Sequence, residues 1–315
     1  MGVRGAAVLV VLASPGMAHA QPLGTRAGCA AYGGLPEGWG ERATAGMVWI
    51  EGGELVPESN TDYPEERPGA PVQLAGFWID RTEVTNAQFA DFVARTGYVT
   101  TAERTGQAPV FHIPQRSELG EREYAWWRPV AGASWRHPEG PRSDLRGRAN
   151  RPVVQVGYED AQAYARWLGR TLPSEAQWEL AARAGRQDGE LQRAPRDARH
   201  RPLANFWQGE FPVNNTAEDG FVFAAPVGCF PANAFGLHDV VGNVWEWTAD
   251  PYRASRREAG ACSQHAGAGA RVLKGGSFLC SPDFCARYRV TARHPQEPEM
   301  PAMHVGFRTV RAPGG

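Results

Sequence analysis

Gly236-Leu237-His238-Asp239-Val240-Val241-Gly242-Asn243-Val244-Trp245-Glu246-Trp247 gathers side-chain oxygens, turn glycines and two tryptophans within twelve residues. A second stretch, Asn205-Phe206-Trp207-Gln208-Gly209-Glu210-Phe211-Pro212 with Glu218-Asp219-Gly220-Phe221, offers the same mixture. Hard cations such as Ca²⁺ take six to eight oxygens, backbone carbonyls included, so a loop-rich fold can use them as staples. The competing reading is that these acids cap turns and solvate loops, since neither stretch is an EF-hand.

Composition agrees with a fold made largely of loops. The chain has 315 residues, 42% hydrophobic, 21% charged and 10% aromatic, as expected of a soluble globular protein. Its 37 glycines and 25 prolines exceed the usual share without reaching low complexity, so turns are many and long helices few. Eleven tryptophans are expected mostly to fill the core of a domain short of regular structure. The formal charge is −1 and no basic run is long enough to bind nucleic acid or an anionic membrane.

At the start, Arg4 precedes the apolar run Ala6–Ala13, and Ala18-His19-Ala20 places small residues where a signal peptidase cuts. Residues 1–20 are therefore expected to be a signal peptide, and the mature protein to be periplasmic or secreted. No later stretch approaches the roughly 20 apolar residues of a membrane span. Residues 21–42 read as an N-terminal extension, and 43–312 as one domain. Met47-Val48-Trp49-Ile50, Val72-Gln73-Leu74 and Phe77-Trp78-Ile79-Asp80 give a strand-loop-strand pattern. Thr85-Asn86 with Phe89, Phe92 and Val93 predicts a capped helix ending near Gly97. Further helices are expected from Tyr158 to Leu168 and from Ser174 to Ala184, the latter opened by the capping box Ser174-Glu175-Ala176-Gln177. All three read as short and peripheral.

Export favours disulfides, yet Cys29, Cys229, Cys262, Cys280 and Cys285 are an odd number, so at least one thiol is left over. Cys280-Ser281-Pro282-Asp283-Phe284-Cys285 sets two thiols five residues apart, behind Lys274-Gly275-Gly276-Ser277. Spacing alone allows a structural disulfide, a redox-active pair, or two thiolates on soft Cu(I). Zinc fits less well, because a second Cys/His pair at ligand spacing is missing. One structural disulfide among Cys29, Cys229 and Cys262 is expected, with its pairing open. The histidines show no metal-ligand spacing.

Several blocks carry a specific family resemblance: Glu83-Val84-Thr85-Asn86, Trp135-Arg136-His137-Pro138-Glu139-Gly140-Pro141, Arg170-Thr171-Leu172-Pro173-Ser174-Glu175-Ala176-Gln177-Trp178-Glu179, the Asn205 block, Gly242 to Trp247, Gly275-Gly276-Ser277-Phe278-Leu279-Cys280, Cys285-Ala286-Arg287-Tyr288-Arg289 and Gly306-Phe307-Arg308. Over nearly the whole mature chain the text resembles the formylglycine-generating enzymes, or sulfatase-modifying factors. The resemblance implies a compact α+β domain, C-type-lectin-like, low in regular secondary structure and calcium-stabilised. It implies two Ca²⁺ sites, one of Asn205, Phe206, Asp219 and Phe221, the other of Asp239, Gly242, Val244 and Glu246. Where relatives often have Asn, Asp239 adds a charge.

Many relatives share the domain without the activity, so the fold alone does not define function. The discriminator is the thiol pair, which members that make formylglycine carry at this spacing. The implied reaction converts a cysteine in a sulfatase Cys-x-Pro-x-Arg motif to Cα-formylglycine, consuming O₂ and a thiol reductant and releasing sulfide. Cys280 and Cys285 would hold Cu(I), with Cys285 the more constant ligand, and Ser277 and Trp245 would shape the oxygen pocket. An extended sulfatase-type polypeptide would lie in a surface groove of a monomer. Relatives have His where this chain has Ser281, and Asn where it has His304. Both positions border the implied site and are assigned to substrate binding, with His304 able to supply the missing imidazole or the altered pocket suited to another peptide. Two alternatives remain: a calcium-stabilised lectin-like binding module with a static Cys280–Cys285 disulfide, and a related oxidase of another peptide or a small thiol.

Overall fold

The structure is a computed structural model and describes residues 22–56, 63–66, 69–120, 124–186, 195–253 and 269–314. The expected signal peptide and Cys262 lie outside the described residues.

The helices are α1 (Arg26–Ala31), α2 (Asn86–Thr96), α3 (Thr101–Thr105), α4 (Tyr158–Trp167) and α5 (Glu175–Arg183). At α2 the Thr85 hydroxyl accepts from the Gln88 N–H at 3.2 Å, and the Gln88 side chain accepts from the Thr85 N–H at 2.9 Å. This reciprocal cap satisfies two N–H groups that the first turn leaves without partners. Gly97, at a φ of 67°, ends the helix in the left-handed conformation. Ser174 and Gln177 repeat the device at α5.

The helices are short, as expected, but they are not peripheral. Phe89 of α2 stacks on Tyr164 of α4 at 5.9 Å, and both rings meet Phe307. Trp178 of α5 is buried beside Ile79 and Val310. With little sheet to supply apolar surface, α2, α4 and α5 turn aromatic rings inward, and burying such a ring contributes about 2–3 kcal/mol.

The strands are β1 (Met47–Ile50), β2 (Gly53–Leu55), β3 (Val72–Leu74), β4 (Phe77–Asp80), β5 (Gln107–Phe111), β6 (Trp127–Ala131), β7 (Trp245–Pro251), β8 (Arg271–Lys274), β9 (His294–Gln296), β10 (Val305–Gly306) and β11 (Val310–Arg311). They form the sheet β1-β4-β11, the sheet β10-β7-β8-β9, and the hairpins β2-β3 and β5-β6. In the four-stranded sheet β10 runs parallel to β7, opposing Val305 to Trp245 and Gly306 to Glu246. The stretch that opened the sequence reading thus ends as a buried central strand.

Buried ion pairs hold the irregular remainder. Arg308 binds both oxygens of Glu246 at 2.6 and 2.7 Å, Arg170 binds Asp80 at 2.8 Å, and Arg289 binds Glu66 at 2.7 and 2.8 Å. Lys274, the sole lysine of the sequence, is buried 3.1 Å from Glu179. Removing one partner of such a pair strands a charge, at a cost of about 3–5 kcal/mol.

Cys29 and Cys229 form the structural disulfide, 200 residues apart in sequence. The segment read as an extension is therefore docked from residue 22 onward. Gly24 N–H donates to the Gly228 carbonyl at 2.7 Å, Asn150 donates to the Cys29 carbonyl at 2.6 Å, and the Arg26 guanidinium lies 4.2 Å above the Phe221 ring.

Candidate active site

The thiol loop leaves β8 through Gly275 and Gly276, at φ of 92° and 79°. A Cβ on Gly276 would stand 2.5 Å from the Arg287 carbonyl oxygen, so only glycine lets this segment pass against residues 287 and 288. That passage brings the two halves of the loop together. On one half Cys280 N–H donates to the Ser277 carbonyl at 2.9 Å, and Ser277 N–H points at Cys280 Sγ from 3.4 Å. On the other half Cys285 N–H donates to the Ser281 carbonyl at 3.1 Å. The two sulfurs lie 3.8 Å apart as free thiols. The static disulfide of the binding-module alternative is not formed.

The two thiols differ in acidity. The hydrogen bond with Cys280, the Arg287 and Arg289 charges and the Arg287 N–H together outweigh burial and bring Cys285 down to about 7. Cys280 is pushed well above the ordinary thiol range, chiefly by its own burial. Arg287 is itself paired with Glu65 at 2.8 Å, and the Tyr63 ring lies under both Arg287 and Arg289. Cys285 is therefore the thiolate of the pair and Cys280 its hydrogen-bond donor.

The other expected site residues fall around this loop with differing aspects. Ser277 is fully buried, and its hydroxyl accepts from Leu279 N–H at 3.2 Å. Trp245 shares a core cluster with Cys280 and Tyr288, and its ring stacks on His294 at 5.5 Å. Ser281 is also fully buried and donates its hydroxyl to Asp283, so it braces the loop from inside. His304 accepts the Trp245 N–H on its carbonyl at 2.8 Å and sets its ring 4.8 Å from Trp127, while its Nδ1 has no partner. Burial pushes His304 down to about 3 and His294 to about 4, so both imidazoles are neutral at ordinary pH.

Sequence reasoning missed an aromatic face beside the thiols. Phe284, next to Cys285 and 49% exposed, stacks on Phe211 at 4.5 Å, and Trp126 meets both rings edge-on at 5.5 and 5.6 Å. A large apolar residue, Phe284, set between two cysteines in a polar loop was the available signal.

The two oxygen-rich stretches adjoin one another. A Cβ on Gly242 would lie 2.2 Å from the Asn205 carbonyl oxygen, so the loops touch backbone to backbone. In the first, Asp219 accepts from Phe206 N–H at 3.2 Å and Phe221 N–H at 2.8 Å, and the Gln208 amide donates both to Asp219 and to the Phe206 carbonyl. Asn205 spends its amide on the Phe223 carbonyl and Asn243, leaving a buried Oδ1 without a donor. In the second, Asp239 accepts from Gly228 N–H at 2.6 Å through one oxygen, and its other oxygen is likewise buried without a donor. Glu246 is engaged by Arg308 and by the Trp178 indole at 2.7 Å. Among the described residues, no three His, Cys, Asp or Glu side chains converge as a metal site on their own, so any cation here would draw on amide and carbonyl oxygens as well.

An α+β chain of short elements, laced by loops around two free thiols, one buried and one half-buried, is the class these features define. The family profile described as "Sulfatase-modifying factor enzyme 1-like domain" matches residues 35–313. The chain belongs to this family. It is 46% identical over 282 residues to the formylglycine-generating enzyme of Streptomyces coelicolor, covering 85% of this chain and 89% of that one. It is 40% identical over 281 residues to the inactive C-alpha-formylglycine-generating enzyme 2 of Mus musculus, covering 85% and 86%. Among solved structures, PvdO from Pseudomonas aeruginosa superposes with a TM-score of 0.58 at 27% identity, covering 84% of this chain and 93% of that one.

Proposed function

We propose that this chain oxidises a cysteine of a sulfatase-type polypeptide, within a Cys-x-Pro-x-Arg motif, to Cα-formylglycine. The observation that carries the reading is the pair of free thiols, 3.8 Å apart and unequal in acidity, in a chain of this family. The stoichiometry is R–CH₂SH + O₂ + 2 R′SH → R–CHO + H₂S + R′SSR′ + H₂O. Substrate carbon is oxidised from thiol to aldehyde, O₂ takes up four electrons in all, and the thiol reductant supplies two of them.

Copper fits the donor set. Two metal–sulfur bonds of about 2.3 Å span up to about 4.6 Å, so sulfurs 3.8 Å apart can share one soft ion. Cys280 and Cys285 would hold it as Cu(I), which supplies a site for O₂ reduction beside the incoming substrate thiol. The protein's own contribution is positional. Ser277 N–H orients Cys280, and Arg287 and Arg289 favour the Cys285 thiolate. Trp245 with His294 keeps water from the inner side, and His304 offers an unprotonated, unpartnered Nδ1. Phe284, Phe211 and Trp126 form the wall along which an extended peptide would lie, its proline packing on their rings.

Calcium at the two loops is supported by the donorless oxygens of Asn205 and Asp239. The first set fits better, because Glu246 of the second already neutralises Arg308. Export to the periplasm or beyond is supported by the leader-like first twenty residues and by the Cys29–Cys229 disulfide. We read the protein as a monomer.

The test is mass spectrometry of a Cys-x-Pro-x-Arg peptide incubated with protein, Cu(I), O₂ and thiol, beside Cys280→Ser and Cys285→Ser controls. The expected product has lost H₂S, gained one oxygen and forms an oxime, and neither control makes it. An unchanged peptide with a copper-loaded protein would overturn the proposed substrate.

A further inference from the structure

Asn243 lies in the middle of the stretch that decides the fold, fully buried, at a φ of 52° that few residues other than glycine, asparagine and aspartate adopt. Each of its polar groups is in use. Its N–H donates to the Asn205 carbonyl at 2.7 Å, and its carbonyl accepts from Phe278 N–H at 2.8 Å. Its Oδ1 accepts from Ala225 N–H at 2.8 Å and from Asn205 Nδ2 at 3.0 Å. Its Nδ2 donates to Glu83 Oε1 at 2.9 Å. Four segments distant in sequence meet at this one residue.

Two of those segments continue to Cys280. Phe278 follows Ser277, whose N–H and carbonyl both contact Cys280. Asn205 precedes Phe206 and Trp207, and Trp207 N–H donates to the Cys280 carbonyl at 3.0 Å. Cys280 is thus held on its N-terminal side and at its own carbonyl by segments that Asn243 holds. Cys285 is fixed instead by Ser281 and by Arg287, whose N–H donates to its carbonyl at 2.6 Å. Glu83 is fully buried and anchors the Asn243 amide from a separate part of the chain, through a bond that spans 160 residues.

We propose that Asn243, oriented by Glu83, is a positioning residue that sets the Cys280 thiol against Cys285. This rests on the thiol pair being the working site. The same contacts leave Asn205 Oδ1 free, so Asn243 also orients the donorless oxygen of the first oxygen-rich loop. Thiol geometry and that loop are therefore tied to one side chain.

The test is an exchange of donor and acceptor. Asn243→Asp keeps the acceptor for Asn205 and Ala225 and the tolerance for positive φ, but it replaces the amide donor to Glu83 with a second buried carboxyl group. Adding Glu83→Gln restores the bond with its direction reversed. The primary readout uses no metal. In a glutathione redox buffer, the ratio of dithiol to Cys280–Cys285 disulfide gives the effective concentration of one thiol at the other, with the Cys29–Cys229 bond and circular dichroism as checks on the fold. Asn243→Asp is expected to lower that effective concentration about tenfold, the equivalent of about 1.4 kcal/mol, and the double variant to recover most of it. Should Asn243→Asp fail to fold, Asn243→Gly keeps the backbone bonds and carries the same expected loss.

A wild-type equilibrium in Asn243→Asp or Asn243→Gly overturns the proposal. So does a loss that Glu83→Gln leaves unrepaired, because the residue would then be general packing. Cu(I) competition titrations on the same variants separate this from the copper reading. A wild type that binds no Cu(I), but shows the loss and rescue in its thiol equilibrium, sinks the copper assignment and sustains the role of Asn243.

Discussion

Cys280 and Cys285 carry the same side chain and acquire opposite acidities from their surroundings. The Cys280 hydrogen bond, the Arg287 and Arg289 charges and the Arg287 N–H bring Cys285 down to about 7. Burial holds Cys280 protonated. Since the thiolate is the reactive form, alkylation by iodoacetamide is expected to modify Cys285 first, its rate rising with pH to a half-point near 7. Arg287→Gln removes a positive charge that favours the thiolate while leaving the Cys280 hydrogen bond in place, so the half-point should move to higher pH. Equal labelling of both cysteines, or a half-point indifferent to Arg287, would contradict this account. The spacing of the pair was readable from sequence. The groups that tune and place it were less so, because their partners are remote: Asn243 meets Glu83 across 160 residues, and Arg308 meets Glu246 across 62. Those residues stand inside recognisable blocks, but no local pattern announces which carboxylate each one finds.

Elements were readable where the chain announces its own ends. Thr85 with Gln88 and Ser174 with Gln177 are local caps, and each marks a helix that forms within a residue or two of its expected bounds. The hairpin of β5 and β6 escaped because Pro109 faces Pro129 across it, and prolines read as breaks in a strand pattern. Helix α1, six residues long, is held by a disulfide and by contacts with residues 220–230 that no local periodicity encodes. The helices looked peripheral because they are short and about half of their apolar positions are alanine, whereas burial is concentrated in large rings such as Phe89, Tyr164 and Trp178. Ser174→Ala tests how much the cap contributes. It deprives Gln177 N–H of its acceptor and loosens the turn that delivers Trp178 to Glu246, so a loss of about 1 kcal/mol is expected in urea unfolding. An unchanged midpoint would mean that tertiary packing alone sets the start of α5.

At the scale of the whole molecule, among the described residues, buried carboxyl groups outnumber cations around the second oxygen-rich loop. Glu83, Asp239 and Glu246 interact there with one cation, Arg308. Burial first, and Glu246 second, push Asp239 up to about 7, against the Gly228 N–H and Arg308. The unfolded chain releases that proton near the ordinary aspartate value of about 3.9, and the folded chain only near 7. Between those values the folded state binds more protons than the unfolded state, so this group's contribution to stability falls as pH rises, and it levels off above about 7. In chelator, the stability of the wild type relative to Asp239→Asn should therefore decline from about pH 4 to about pH 7. A calcium ion prefers the ionised carboxylate and opposes that decline, by about 2.7 kcal/mol at a free concentration one hundred times its dissociation constant. Melting curves at pH 8 should rise with added Ca²⁺ in the wild type and rise less in Asp239→Asn. Equal gains in both proteins would assign the stabilisation to the Asn205–Asp219 loop, and no gain in either would remove calcium from the fold altogether.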